Sequence, residues 1–182
     1  DGKVTAITIV KPIAIDASGT ITISESENIY IVSEEDIIFN NISANNEVRI
    51  KANGNINRRV IGDTVSDNQG TITSDGRVIL ESAQGVINGI TLVDDGDSKQ
   101  ELIARAADDI TISKAGDLVV DTVFSANGDV TLNVANGSDK NDIIVIPSSD
   151  NISISANNIT LLGVKNLGTE DAFVGLKANG IG

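Results

Sequence analysis

The chain has 182 residues, a length that suits one domain with a continuous hydrophobic core. It contains no Cys and no His, which excludes disulfides, thiolate metal sites, the usual catalytic triad and most zinc or copper sites. The net charge of -13 argues against nucleic acid as a partner, because phosphate binding uses clustered Lys and Arg. No run approaches the roughly 18 apolar residues of a membrane span, so we expect no membrane insertion.

The interior must be built from aliphatic side chains, because aromatic residues make up only 2% of the chain and hydrophobic residues 40%. Ile and Val are β-branched and favour strands over helices. The composition therefore predicts an all-β fold. A Cys-free, acidic and Asn-rich sequence also fits an exported bacterial protein, without determining its location.

A short element recurs along the whole chain: a small or polar residue, a turn rich in Asn, Asp and Gly, and an apolar-polar-apolar triplet. Such alternation is typical of a strand that is buried on one side. In chain order, clear examples are ASGTITI at Ala17–Ile23, SANNEVRI at Ser43–Ile50, SDGRVIL at Ser74–Leu80, AADDITI at Ala106–Ile112, SANGDVTL at Ser125–Leu132 and SANNITL at Ser155–Leu161.

Recurring corners of the same sequence favour a coil over a β-sandwich, because stacked coils place equivalent corners above one another. Asn and Gly tolerate the left-handed backbone of sharp corners, and Asn side chains can form ladders between coils. Stacked Ile and Val also fill a narrow interior well. We therefore predict one parallel β-helix, or β-solenoid, over residues 1–182, with short strands and Asn/Gly corners. A β-sandwich is the alternative.

Two segments interrupt this repeat and are predicted to be loops that project from a corner. The first, at about residues 58–70, is the polar stretch RRVIGDTVSDNQG. The second, at about 94–109, contains the one stretch with helical character, around Lys99–Ala107. Repeat proteins usually place insertions at such corners.

Clusters of acidic residues make calcium the metal to consider, since calcium prefers hard oxygen ligands. The first candidates are Asp94, Asp95 and Asp97 in the stretch DDGD. Similar oxygens occur in Glu34–Asp36 and in Asn136–Asp142, but no stretch matches an EF-hand loop. Solvated charge that keeps the protein soluble is the favoured explanation, and no other cofactor is predicted.

Glycoside hydrolysis would need paired carboxylates, which some β-helix enzymes draw from adjacent coils. The candidates here are Asp117, Asp121 and Asp129, near Arg105. Each of these acids occupies a turn position that the repeat already explains, and the chain has only one Tyr and three Phe to serve as sugar platforms. We therefore predict no catalytic residue and expect the chain not to be an enzyme.

The stretch AGDLVVDTVFSANGDVTLNVANGS, at Ala115–Ser138, resembles the repeat regions of bacterial surface adhesins of the filamentous haemagglutinin type. The resemblance rests on a GDLVV strand followed by an ANGDVTL strand, and it returns less closely at Ser74–Gly89 and Ser148–Val164. Those proteins are right-handed parallel β-helices that project from cells as rods and serve in adhesion, in biofilm or as stalks. The resemblance implies the same fold and role here.

The leading hypothesis is a non-catalytic structural or adhesive segment of a secreted bacterial surface fibre. An end coil is an unpaired β edge, so we expect end-to-end self-association or stacking on neighbouring repeats of a larger protein. Cell-surface glycans or a host surface are further partners under this hypothesis. The alternative is a carbohydrate-binding or carbohydrate-cleaving β-helix protein, in which the loops at 58–70 and 94–109 shape a groove.

Overall fold

The computed structural model describes residues 13–14, 21–60, 70–93, 100–135, 139–146 and 152–180. These residues form a parallel β-solenoid of about six turns, and no helix occurs among them. The predicted parallel β-helix is therefore confirmed.

All strands of the described chain belong to one sheet that winds around the molecule, and every strand pair in it is parallel. The strands are β1 (Ile13–Ala14), β2 (Ile21–Ser33), β3 (Ile37–Ala52), β4 (Ile56–Arg58), β5 (Thr71–Ser74), β6 (Arg77–Ser82), β7 (Ile87–Val93), β8 (Glu101–Ala106), β9 (Ile110–Lys114), β10 (Leu118–Ser125), β11 (Val130–Asn133), β12 (Asn141–Val145), β13 (Ile154–Ala156), β14 (Ile159–Leu162), β15 (Val164–Leu167) and β16 (Leu176–Ala178).

Two faces of the solenoid organise the molecule. Face 1 consists of the ends of β2, β3 and β10 together with β6, β8, β13 and β16, and its central inward column is Ile31, Ile50, Leu80, Ala104, Val123, Ile154 and Leu176. Face 2 consists of the start of β3 with β4, β7, β9, β11 and β14, and its inward column is Ile37, Ile56, Ile87, Ile110, Val130 and Ile159.

The core is the stack of these aliphatic columns. From Ile37 to Val130 every member of the face 2 column is buried, as are the members of the face 1 column from Ile31 to Ile154. Outward neighbours such as Thr111 and Thr131 alternate with them, because successive strand residues point to opposite sides of a sheet. Among the buried aliphatic residues lies Lys114, which is only 2% exposed.

Coil length varies along the solenoid. From one face 1 column position to the next, the chain takes 19 residues between Ile31 and Ile50, 30 between Ile50 and Leu80, and 24 between Leu80 and Ala104. The longest of these three coils contains the first predicted loop, part of which, 61–69, lies outside the described residues. Insertions are thus absorbed by single coils without disturbing the register on face 1.

The helical turn predicted around Lys99–Ala107 is wrong. Glu101–Ala106 forms β8, which pairs with β6 on one side and with β10 on the other, so that part of the predicted loop is strand as well. Strands β2 and β3, with 13 and 16 residues, are also longer than the short strands predicted. The pairing of β2 with β3 continues around a corner through register shifts, which lets each strand turn without ending.

Asn and Asp side chains form ladders at the corner between face 1 and face 2, as predicted. Asp36 accepts hydrogen bonds from the backbone nitrogen of Asn55 at 2.7 Å and from its side-chain amide at 3.1 Å. One Oδ atom of Asp129 accepts from the backbone nitrogen and the amide of Asn158, and the Asp129 nitrogen donates to Asp109. These side chains therefore tie each coil to the next.

Candidate functional site

A groove crosses the outward side of face 1, with a volume of about 720 Å³. We call it the face 1 groove. Its lining combines charged, polar and aromatic side chains of the face 1 strands with small residues of the corner that follows them. The lining residues are Lys51, Glu81, Ser82, Ala83, Arg105, Ala106, Ala107, Thr122, Phe124, Ala126 and Asn127.

Four of these residues occupy one outward position in successive coils. Lys51 pairs in register with Glu81, Glu81 with Arg105, and Arg105 with Phe124. Neighbouring parallel strands lie about 4.8 Å apart, so Lys51 and Arg105 are separated by about 10 Å along the solenoid axis. The groove thus presents a cation, an anion, a cation and an aromatic ring in a line.

Ion pairs on face 1 leave both cations of the groove, Lys51 and Arg105, without a described partner. Glu81 pairs with Arg49 at 3.4 Å, and Arg77 pairs with Glu101 at 2.9 Å. Within the part of the chain that the structure describes, neither Lys51 nor Arg105 forms an ion pair. Both have exposed side chains and are therefore available to a ligand from solvent.

Two groups on face 1 have shifted pKa values. The hydrogen bond from Arg77 to Glu101, with the charge of that carboxylate, raises the pKa of the Arg77 guanidinium. Partial burial and the neighbouring Glu47 raise the pKa of the Tyr30 phenol. Both shifts favour the form that these groups already have at neutral pH, so neither marks an acid or base poised for catalysis.

The predicted calcium ligands Asp94, Asp95 and Asp97 lie outside the described residues, so the calcium hypothesis stays a prediction. The stretch Glu34–Asp36 is described, and its Asp36 is engaged in the corner ladder. Among the described residues, no three acidic side chains gather closely enough to hold a metal ion.

The three candidate catalytic acids are held at separate places. Asp117 precedes β10 and accepts a hydrogen bond from the backbone nitrogen of Asp142 at 2.8 Å, whereas Asp129 lies beyond the other end of β10 in the corner ladder. Asp121 lies within β10 and not in a turn as predicted, and it accepts a hydrogen bond from the Thr122 hydroxyl at 3.2 Å. The structure therefore does not bring these carboxylates together, and only Arg105 of that group lines the face 1 groove.

Sequence reasoning missed Lys51, Glu81 and Phe124 as members of a common site. A signal was nevertheless present, because each of the four in-line groove residues stands directly before the small residue that opens a corner. The four pairs are Lys51–Ala52, Glu81–Ser82, Arg105–Ala106 and Phe124–Ser125. Equivalent positions before equivalent corners lie above one another in a solenoid.

No helix in the described part of the chain is long and apolar enough to cross a membrane. Comparison of the chain with protein-family models, with curated proteins and with solved structures gave no match. The resemblance to haemagglutinin-type adhesins therefore stays a prediction.

Proposed function

We propose that this chain is a structural segment of a secreted bacterial surface fibre, in which solenoids stack end to end. The observation that carries the proposal is the last coil of the described chain, whose inward side is apolar and uncovered. The uniform hydrogen-bonded wall and the continuous aliphatic core support a mechanical role. The resemblance of Ala115–Ser138 to adhesin repeats supports the assignment to a surface fibre.

Inward column residues of the last coil are exposed where their equivalents in earlier coils are buried. Leu176 is 46% exposed, although its register partner Ile154 is fully buried in the same column. Ile159 and Leu161 on β14 are also only partly covered. Burial of such side chains contributes about 25 cal/mol per Å² of apolar area, so this end favours contact with another apolar surface.

The backbone of the same coil is paired on one side only. Among the described residues, β14 pairs with β11, β15 with β12 and β16 with β13, and none pairs with a further strand. An unpaired parallel edge is a template for another strand. The occupant that fits both the edge and the aliphatic columns is a coil of the same kind, which for the isolated 182-residue chain is supplied by a second copy.

A charge at the exposed end tests the stacking. We expect Leu176→Lys to reduce association, because the new ammonium group would have to be buried in the interface between two solenoids. The matched control is Phe124→Lys, which places the same charge on the side of the rod at a residue of similar exposure, 42% against 46%. Sedimentation velocity across a range of protein concentrations, with negative-stain imaging, provides the measurement.

The wild-type protein and Phe124→Lys should form rods that lengthen with concentration. Leu176→Lys should sediment as a monomer, and its circular dichroism spectrum should show that it is folded. A wild-type protein that is monomeric at all concentrations would contradict the proposal. Equal association of Leu176→Lys and the wild-type protein would contradict it as well.

A further inference from the structure

The face 1 groove concentrates positive charge on an acidic protein. The chain has 26 acidic and 13 basic residues, and its net charge of -13 opposes the approach of any anion. Lys51 and Arg105 nevertheless project into the same groove, without an ion-pair partner in the described chain. Glu81 between them is already bound to Arg49 at 3.4 Å. The two free cations are therefore suited to a ligand with negative charges.

Phe124 adds an apolar platform beside the cations. It is 42% exposed and lies one coil beyond Arg105 at the same outward position. An exposed aromatic ring contributes contact area to a ligand with an apolar side, and the chain contains only three Phe and one Tyr. Thr122 and Asn127 line the same groove and offer hydrogen bonds to hydroxyl groups. A ligand for this groove thus combines an anion, an apolar ring face and hydroxyl groups.

The backbone at the groove is closed to an extended peptide. A peptide that binds by strand addition needs a free sheet edge. On face 1, however, β6 is paired with β3 and β8, and β8 is paired with β6 and β10. Recognition here must use side chains, which repeat once per coil at about 4.8 Å. That repeat is close to the length of one pyranose unit, so successive sugar rings would meet successive coils.

From these observations we propose that the face 1 groove binds a chain of uronic-acid sugars. A sugar carboxylate binds Arg105, whose planar fork suits bidentate pairing with a carboxylate, and a second carboxylate binds Lys51. The apolar side of a ring packs on Phe124, and Thr122 and Asn127 bond hydroxyl groups. This site lies on the side of the rod, so it does not depend on end-to-end stacking.

Titration calorimetry with oligogalacturonate at low salt tests the proposal. We expect Arg105→Gln to weaken binding about tenfold or more, because a hydrogen-bonded charge pair is lost. Lys165→Gln is the control, since it removes one charge from an exposed position of β15, which lies outside both face 1 and the groove. Phe124→Ala should also weaken binding, whereas Phe124→Tyr, which keeps the ring, should not.

Three comparisons would overturn the proposal. Wild-type protein that does not bind oligogalacturonate would contradict it directly. Equal losses of affinity in Arg105→Gln and Lys165→Gln would show that oligogalacturonate is attracted by charge alone and has no specific site. Equal binding of poly-glutamate or of an uncharged galactan would contradict recognition of an acidic sugar. Because Arg105 and Phe124 are both exposed, unfolding midpoints of their variants should match that of the wild-type protein and exclude misfolding as the cause.

Discussion

A column of Ser and Ala residues at the corner after face 1 shows how single residues join the coils. Ser and Ala alternate over much of the column, which runs Ser33, Ala52, Ser82, Ala106, Ser125, Ala156 and Ala178. The Ser125 hydroxyl donates to the carbonyl oxygen of Asp108 in the preceding coil at 2.8 Å and accepts from the Gly128 nitrogen at 2.8 Å. In the same way, the Ser82 hydroxyl donates to the carbonyl oxygen of Gly54 and accepts from the Gly85 nitrogen. Each of these hydroxyls closes its own turn and holds the coil beside it.

Loss of the Ser125 hydroxyl should therefore destabilise the solenoid. We expect Ser125→Ala to lower the free energy of unfolding by about 1–3 kcal/mol, because the Asp108 carbonyl oxygen and the buried Gly128 nitrogen lose their partner. The control is Ser113→Ala, at an outward position of β9 with no side-chain hydrogen bond among those described, which should change stability by less than about 0.5 kcal/mol. Urea unfolding followed by circular dichroism measures both, and equal midpoints for the two variants would contradict the bridging role.

At the scale of the strand, the alternation of inward and outward side chains determines how much each residue contributes to stability. β9 has buried Ile110 and Ile112 on the inward side and Thr111 and Ser113 on the outward side. Ile110 packs in the face 2 column between Ile87 and Val130, its register partners in the adjacent coils. Ile110 is therefore fully buried in the narrow core of stacked aliphatic side chains.

Truncation of a side chain to Ala should therefore lower stability more on the inward side of β9 than on its outward side. We expect Ile110→Ala to lower the free energy of unfolding by about 2–5 kcal/mol, through lost burial and the cavity left behind. Thr111→Ala, one residue along, should change it by no more than about 0.5 kcal/mol. Denaturant titration measures both free energies of unfolding. A loss of similar size at both positions would contradict the assignment of Ile110 to the inward side and Thr111 to the outward side.

The prediction for β8 failed for a reason that lies at this scale. In the stretch ELIARA, charges at Glu101 and Arg105 have helical spacing, but Leu102, Ala104 and Ala106 also alternate with outward residues. Hydrogen bonds to β6 and β10 on both sides of the segment decide between the two patterns. Local sequence cannot resolve such a case, because those partners lie in other coils.

The whole molecule combines a strongly acidic surface with an apolar end. Two copies with a net charge of -13 repel one another as they approach, while Leu176 and its neighbours on the last coil favour contact. Association should therefore depend on how far the repulsion extends, and screening by salt controls that distance.

We expect end-to-end association to increase with ionic strength. Raising salt from about 0.01 M to about 0.15 M shortens the screening length from about 30 Å to about 8 Å, which weakens repulsion between the rods and leaves the apolar contact in place. Light scattering at fixed protein concentration measures the change, with Leu176→Lys as the variant that should scatter as a monomer at both salt concentrations. Association that decreases with salt would instead indicate an interface made by charge pairs.

The sequence by itself determined the solenoid. Apolar alternation and Asn, Asp and Gly corners are local features, and they recur from coil to coil, so the all-β parallel architecture, the aliphatic core and the corner ladders could all be predicted. The face 1 groove was decided only by the tertiary structure. Coils of 30, 24 and 19 residues bring Lys51, Glu81, Arg105 and Phe124 into one line, and hydrogen bonds between coils set that register regardless of separation along the chain.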